Sequence, residues 1–298
     1  MKILVTGAMG QVGTELLMLA HKRNHNGIGF GERALDITDE QQVLRVIEEQ
    51  SPDVVINAAA YTAVDKAETE RDLAYKVNDR GVGYLAAACK RVAIPMLHIS
   101  TDYVFDGSKD SDYVESDKPE PYSVYGASKL AGEKTLTKVL AEHLILRVSW
   151  VFGLRGQNFV KTMLKLAQNR HELSVVDDQF GAPTSAIAIA RNLINICELE
   201  QFGQPDFPWG TYHLASNPGV TWYEFAQEIF SQAKETGLVN KPIKVNPISS
   251  EQFPTPVKRP KNSKLASEKH ELLAFSPCNW KHDLRDMLKS LQQTRQSA

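Results

Sequence analysis

Short β-branched runs alternate with longer stretches in which apolar residues return every three or four positions, and the alternation is regular over the first half of the chain. Lys2–Thr6, Gly27–Phe30, Asp53–Asn57, Pro95–Ser100 and Leu144–Val148 read as strands, the second of them weak. Between them, Gln11–Arg23, Asp39–Gln50, Arg71–Val92 and Tyr122–Glu142 read as helices. Leu16, Leu17, Leu19 and Ala20 mark the buried side of the first, and Val43, Val46 and Ile47 that of the second. Strands that are apolar throughout, without alternation, belong inside a parallel sheet covered on both faces. The expected class is therefore α/β, a doubly wound Rossmann-type parallel sheet with ligands at the carboxyl ends of its strands.

Beyond about residue 150 the rhythm loosens. Asn158–Asn169, Ser185–Glu198, Thr221–Thr236 and Trp280–Gln292 read as helices and Thr211–Ala215 as a strand. Pro242–Pro260, with Pro254, Pro256 and the basic pair Lys258-Arg259, reads as irregular surface chain. The expected layout is a dinucleotide-binding domain over 1–150. A smaller, mainly substrate-binding region over 151–298 sends some elements back to the first core.

Composition narrows the class. The 298 residues carry 34 basic and 36 acidic side chains, a formal charge of -2, which argues against a nucleic-acid partner that would need a basic face. No apolar run reaches the ~20 residues of a membrane span, and the start, Lys2-Ile3-Leu4-Val5, lacks the pattern of a signal peptide. The three cysteines, Cys89, Cys197 and Cys278, form no CxxC pair, so neither a zinc site nor a disulfide framework is expected. A cytoplasmic protein is expected.

Two motifs carry chemistry. Gly7-Ala8-Met9-Gly10-Gln11-Val12-Gly13 joins the first strand to the first helix. Glycines there let the backbone turn tightly beside a pyrophosphate, and the helix N-terminus offers free N–H groups to it. The residue that reads the adenosine ribose should follow ~20 positions later. Glu32 and Arg33 stand near that place: a carboxylate suits the 2′-hydroxyl of NAD and an arginine the 2′-phosphate of NADP, so the residues leave NADPH and NADH open. Asp36-Ile37 follows, at the adenine side or as a cap for the next helix.

The second motif is Tyr125-Gly126-Ala127-Ser128-Lys129, which sets a phenol and an ammonium on one helix face. Reducing a ketone requires a hydride donor at carbon and a proton donor at oxygen. A nearby ammonium is expected to lower the phenol's pKa and to hold the cofactor ribose. Read blandly, the pair is an exposed tyrosine and a surface lysine. Against that stands Ser100-Thr101-Asp102-Tyr103, which ends the fourth strand and places a second hydroxyl where this sheet class binds ligands.

The chain resembles the extended short-chain dehydrogenase/reductases. The resemblance rests on the glycine loop, on Asn57-Ala58-Ala59-Ala60-Tyr61-Thr62-Ala63-Val64-Asp65-Lys66-Ala67-Glu68, and on Ser100–Phe105 and Tyr125–Lys129. Arg147–Gly153 and Asp178–Thr184 extend it to about residue 185. It implies that Gly7, Gly10, Gln11, Val12 and Gly13 hold the cofactor pyrophosphate. Arg33, Asp36 and Ile37 would hold the adenosine end, and Ala58, Ala60, Tyr61 and Thr62 the central part. Tyr125 would donate the proton, with Lys129 as its partner and Thr101 polarising the keto oxygen. Asp102, Tyr103 and Trp150 would seat a dTDP-sugar, with Lys258, Arg259 and Lys261 as candidate partners of its diphosphate. The implied reaction is reduction of C4 in dTDP-4-dehydro-6-deoxy-L-mannose to dTDP-L-rhamnose, with NADPH as expected cofactor and NADH left open.

Some members of the family dimerise through magnesium held by helix carboxylates. Glu15 is present, but Ala186–Ala190 carries no acid, so a monomer or a homodimer without a metal bridge is expected. Dehydratases of the superfamily carry Thr-Asp-Glu where this chain has Thr101-Asp102-Tyr103, so elimination lacks its base. The alternatives are another nucleotide-sugar 4-ketoreductase, an epimerase of the same superfamily, or a non-catalytic cofactor-binding regulatory subunit.

Overall fold

In a computed structural model, which describes residues 1–273 and 275–296, six parallel strands form the central sheet. They are β1 (Lys2–Thr6), β2 (Asn26–Phe30), β3 (Val54–Asn57), β4 (Met96–Thr101), β5 (His143–Val148) and, with β6 set apart as Glu172–Val176, β7 (Gly210–Leu214). Their spatial order is β7-β5-β4-β3-β1-β2. The order reverses between β1 and β3, which opens a crevice at their carboxyl ends. β3 and β5 are buried along their whole length, as their apolar runs require.

The longer helices are α1 (Gln11–Lys22), α2 (Glu40–Gln50), α3 (Val82–Arg91), α4 (Val124–Val139), α5 (Phe159–Leu166), α6 (Ala186–Cys197), α7 (Trp222–Glu235) and α8 (Trp280–Gln296). One face of the sheet is covered by α1 and α6, whose Leu16, Ala20, Ile189 and Leu193 pack on Ile3, Val5 and Leu146. The other face takes Val43 and Ile47 of α2, Leu85 and Cys89 of α3 and Leu136 of α4. A separate core joins α5, α7 and α8 through Met163, Phe225, Ile229, Leu284 and Leu288. None of the described helices is long and apolar enough to cross a membrane.

Side-chain caps set the helix starts. Asp39, Ser123, Asn158 and Ser185 accept hydrogen bonds from first-turn N–H groups of α2, α4, α5 and α6, and Thr221 with Glu224 forms a capping box on α7. The cap at Ser123 explains why α4 begins later than the pattern predicts.

Two expectations are corrected. The helix expected over Arg71–Val92 is interrupted: a short helix, Arg71–Tyr75, passes into a π-helical turn, Lys76–Gly81, before α3. Pro242–Pro260 is not wholly irregular, because β8 (Lys244–Ile248) pairs in parallel with β6 and Ser250–Gln252 forms a 3₁₀ turn. Pro247 is tolerated because this two-stranded ladder consists only of edges.

Candidate active site

The glycine loop closes over the end of β1. Gly7 has φ +65°, and a Cβ there would lie 2.5 Å from the Ala58 carbonyl carbon. A Cβ on Gly13 would lie 2.2 Å from the Gly7 oxygen, so α1 rests directly on the turn. The Gly10 N–H donates to Gly7 O at 2.9 Å. α1 has neither a side-chain cap nor an acid in its first turn, leaving its positive end for an anion. Val12 is buried, so only its backbone faces the loop, while Gln11 Oε1 accepts from Asn158 Nδ2 at 2.9 Å. Gly13→Ala is expected to lift α1 from the turn at a cost of about 1–3 kcal/mol and to weaken NADPH binding, measured by quenching of cofactor fluorescence.

At the end of β2, Glu32 and Arg33 are exposed. Asp36 accepts from Thr38 N (2.9 Å) and Thr38 Oγ1 (2.8 Å), and Asp39, not Asp36, caps α2. Ile37 puts its side chain in the core against Gly81, so only its backbone can meet a ligand.

Ala58, Ala60, Tyr61 and Thr62 continue from β3 along the crevice. Asn78 in the π turn fixes them. Its Oδ1 accepts from Tyr61 N at 2.8 Å, and its Nδ2 lies 3.0 Å from both Tyr61 O and Ser128 Oγ on α4. Gly132 lets α4 approach, since a Cβ there would collide with Asn78 O at 1.9 Å. Asn78 was not among the residues expected at the site, because its role arises only where the distant α4 packs on the π turn. Tyr61 Oη donates to Glu70 at 2.7 Å, which pushes its pKa up to about 12.

The reactive cluster sits at the end of β4. Thr101 Oγ1 donates to Asp102 Oδ1 at 2.9 Å and accepts from Tyr103 N at 3.2 Å. Ser149 Oγ donates to Asp102 Oδ2 at 3.1 Å. Burial lifts the Asp102 carboxyl to about 6 against the opposing pull of Thr101, Ser263 and Ser149. The Tyr125 ring meets Tyr103 edge-on at 5.6 Å, and its phenol contacts the Thr101 hydroxyl. Thr101, Asp102, Tyr103 and Tyr125 are thus brought together.

Lys129 corrects an expectation. Its Nζ donates to Ile99 O at 2.8 Å and lies 3.1 Å from His98 Nε2, so it is turned toward β4. Burial raises the Tyr125 pKa well above 10, opposed by Thr101, and Lys129 is not among the groups that lower it. Burial also pulls Lys129 itself down to about 8, with Glu133 opposing.

On the substrate side, Trp150 has φ +44° and stacks on Trp222 with ring centroids 3.4 Å apart. Gly181 makes room, since a Cβ there would lie 2.1 Å from the indole. Of the three basic candidates, Arg259 reaches the cluster: it pairs with Asp65 at 2.7 Å and acts on the Tyr103 phenol. Burial pushes the Tyr103 phenol up to about 12, with Arg259 opposing. Lys258 lies over the ring of exposed Tyr122.

Known proteins match nearly the whole length of the chain. The family model described as RmlD substrate binding domain matches residues 1–293. The dTDP-4-dehydrorhamnose reductase of Aggregatibacter actinomycetemcomitans is 44% identical over 289 residues, covering 96% of this chain and 98% of the relative. The crystal structure of a dTDP-4-dehydrorhamnose reductase from Clostridium acetobutylicum superposes with a TM-score of 0.90 at 41% identity, covering 98% of this chain and all (100%) of that one. The Bacillus anthracis dTDP-4-dehydrorhamnose reductase, solved in complex with NADP, gives a TM-score of 0.88 at 38% identity over 97% of this chain and 100% of that one. The chain belongs to the RmlD substrate-binding-domain family, that of the dTDP-4-dehydrorhamnose reductases.

Proposed function

We propose that the chain reduces the C4 keto group of dTDP-4-dehydro-6-deoxy-L-mannose to dTDP-L-rhamnose with NADPH. The observation that supports this reading is the cluster of Thr101, Asp102, Tyr103 and Tyr125 at the carboxyl end of β4, in a chain 44% identical to such a reductase over 96% of its length.

The loop fits a dinucleotide: Gly7 and Gly13 stand where any Cβ would strike backbone, and α1 opens uncapped. Gly7, Gly10, Gln11, Val12 and Gly13 would hold the pyrophosphate, and Arg33 the 2′-phosphate. Backbone of Asp36-Ile37 would flank the adenine, and Ala58, Ala60, Tyr61 and Thr62 the middle of the molecule. NADPH supplies the hydride. Thr101, its hydroxyl proton turned from Asp102, donates a hydrogen bond to the keto oxygen, and Tyr125 Oη gives that oxygen its proton. A phenol held protonated by burial still suits this task, because an alkoxide developing on the sugar is the stronger base. Lys129 holds the nicotinamide ribose, and Asp102, Tyr103 and Trp150 seat the sugar nucleotide. We place the protein in the cytoplasm, where the free thiols Cys89, Cys197 and Cys278 suit reducing conditions. It acts there as a monomer or a homodimer without a metal bridge, because α6 carries no acidic residue.

The test is loss of reduced-nicotinamide absorbance on adding the 4-keto sugar nucleotide, with NADPH and NADH in parallel and the product identified. Arg33→Ser is expected to raise KM for NADPH about tenfold or more, the loss of a charged hydrogen-bond set, and to leave KM for NADH nearly unchanged. Turnover without net cofactor consumption would point instead to an epimerase.

A further inference from the structure

Lys129 is held by a buried chain of hydrogen bonds whose polarity follows from donor counting. The Ala59 N–H is backbone and can only donate; it meets Asn57 Oδ1 at 3.0 Å, and Thr6 Oγ1 donates to the same atom at 2.6 Å. That atom is therefore the amide oxygen, and the Asn57 NH₂ group faces His98 Nδ1 at 2.9 Å. A donor at that distance requires Nδ1 to be an acceptor, which excludes both imidazolium and the Nδ1–H tautomer. The single ring proton then sits on Nε2 and points at Lys129 Nζ, 3.1 Å away. Lys129 keeps a donor for Ile99 O at 2.8 Å. An ammonium has no lone pair to receive Nε2–H; a neutral amine has one.

We propose that His98, set by Asn57 as its Nε2–H tautomer, is a positioning residue that favours the neutral amine form of Lys129, and that cofactor binding shifts Lys129 to the ammonium with net uptake of a proton from solvent. The proton adds to the Nζ lone pair, which ends the bond from His98 and frees the ammonium to turn toward the ribose. This rests on the cofactor site proposed above.

The surrounding charges permit a neutral lysine. His98 and Asn57 are fully buried and Lys129 nearly so. Glu133, one turn along α4, favours the ammonium, but its carboxylate is already engaged by Arg147 at 3.0 and 2.7 Å. His143 on β5 and Lys129 both disfavour a charged His98. Asp102 and Tyr103 act on Tyr125, and Asp79 of the π turn accepts from Thr135. Burial, which moves Lys129 down to about 8, acts in the same direction as the tautomer.

The test uses the whole chain and NADP⁺ as the probe. Imidazole ¹⁵N NMR of the free protein should show His98 Nε2 protonated and Nδ1 unprotonated; a protonated Nδ1 overturns the proposal. Calorimetric titration of NADP⁺ in buffers of differing ionisation enthalpy should show about half a proton taken up per site at pH 8, approaching none near pH 6.5. Binding without proton uptake at pH 8 overturns the proposal while leaving the cofactor site intact, whereas absence of binding overturns the site. The near-isosteric Asn57→Asp should move the ring proton to Nδ1 and abolish the uptake at pH 8; an inverted tautomer with unchanged uptake contradicts the role of His98. If that variant does not fold, the measurements on the natural chain still decide.

Discussion

Tyr125→Phe is expected to lower kcat by about 10²–10⁴-fold, the usual contribution of a positioned general acid, while the dissociation constant for NADPH stays within a few-fold. The phenyl ring keeps the edge-on contact with Tyr103 and the packing of α4 on the crevice, so only the hydroxyl beside Thr101 is lost. The two parts of the result answer different questions. Steady-state kinetics report the missing proton donor, and cofactor fluorescence reports that the glycine loop still works. A variant with unchanged kcat would remove Tyr125 from the chemistry.

The second large effect is on stability. Arg147 on β5 is buried and gives two hydrogen bonds to Glu133 on α4, which also accepts from Ser100 Oγ at 2.5 Å. Nη1 of the same guanidinium lies 3.3 Å from His213 Nε2 on β7. Removing the carboxylate leaves a buried cation without a counter-charge, which typically costs about 3–5 kcal/mol. Glu133→Ala is therefore expected to lower Tm by on the order of 10 °C, read by thermal unfolding followed by circular dichroism. An exposed pair such as Lys118–Glu120 contributes far less, because water screens it. An unchanged Tm for Glu133→Ala would mean that Arg147 finds another partner or reaches water.

How much was legible in the chain depended on whether a feature is local. Lys2–Thr6 is a strand with the bounds its apolar run predicts, and Val43, Val46 and Ile47 are the buried face of α2. Asp39 caps that helix because a short side chain before an amphipathic run satisfies its N–H groups. The glycine loop and the Tyr125–Lys129 pair were legible because their function lies in fixed spacing. Non-local features were not. β8 exists only because β6 lies beside it, and a proline within that run argued against a strand. Asn78 acquires its role from two segments distant in sequence, Tyr61 and Ser128, that meet at a π turn. His98 is one polar residue in an apolar strand, and its role depends on Asn57 and Lys129 on either side. Tyr125 was expected to be acidified by Lys129, but burial raises the phenol's pKa and Lys129 Nζ is turned toward Ile99 O.

The most direct measurement follows a label from cofactor to sugar. Turnover of dTDP-4-dehydro-6-deoxy-L-mannose with NADPH dideuterated at C4 of the nicotinamide, analysed by mass spectrometry and NMR, should place one deuterium on C4 of the rhamnosyl product. Cofactor left unconsumed, or product without deuterium at C4, would contradict the account.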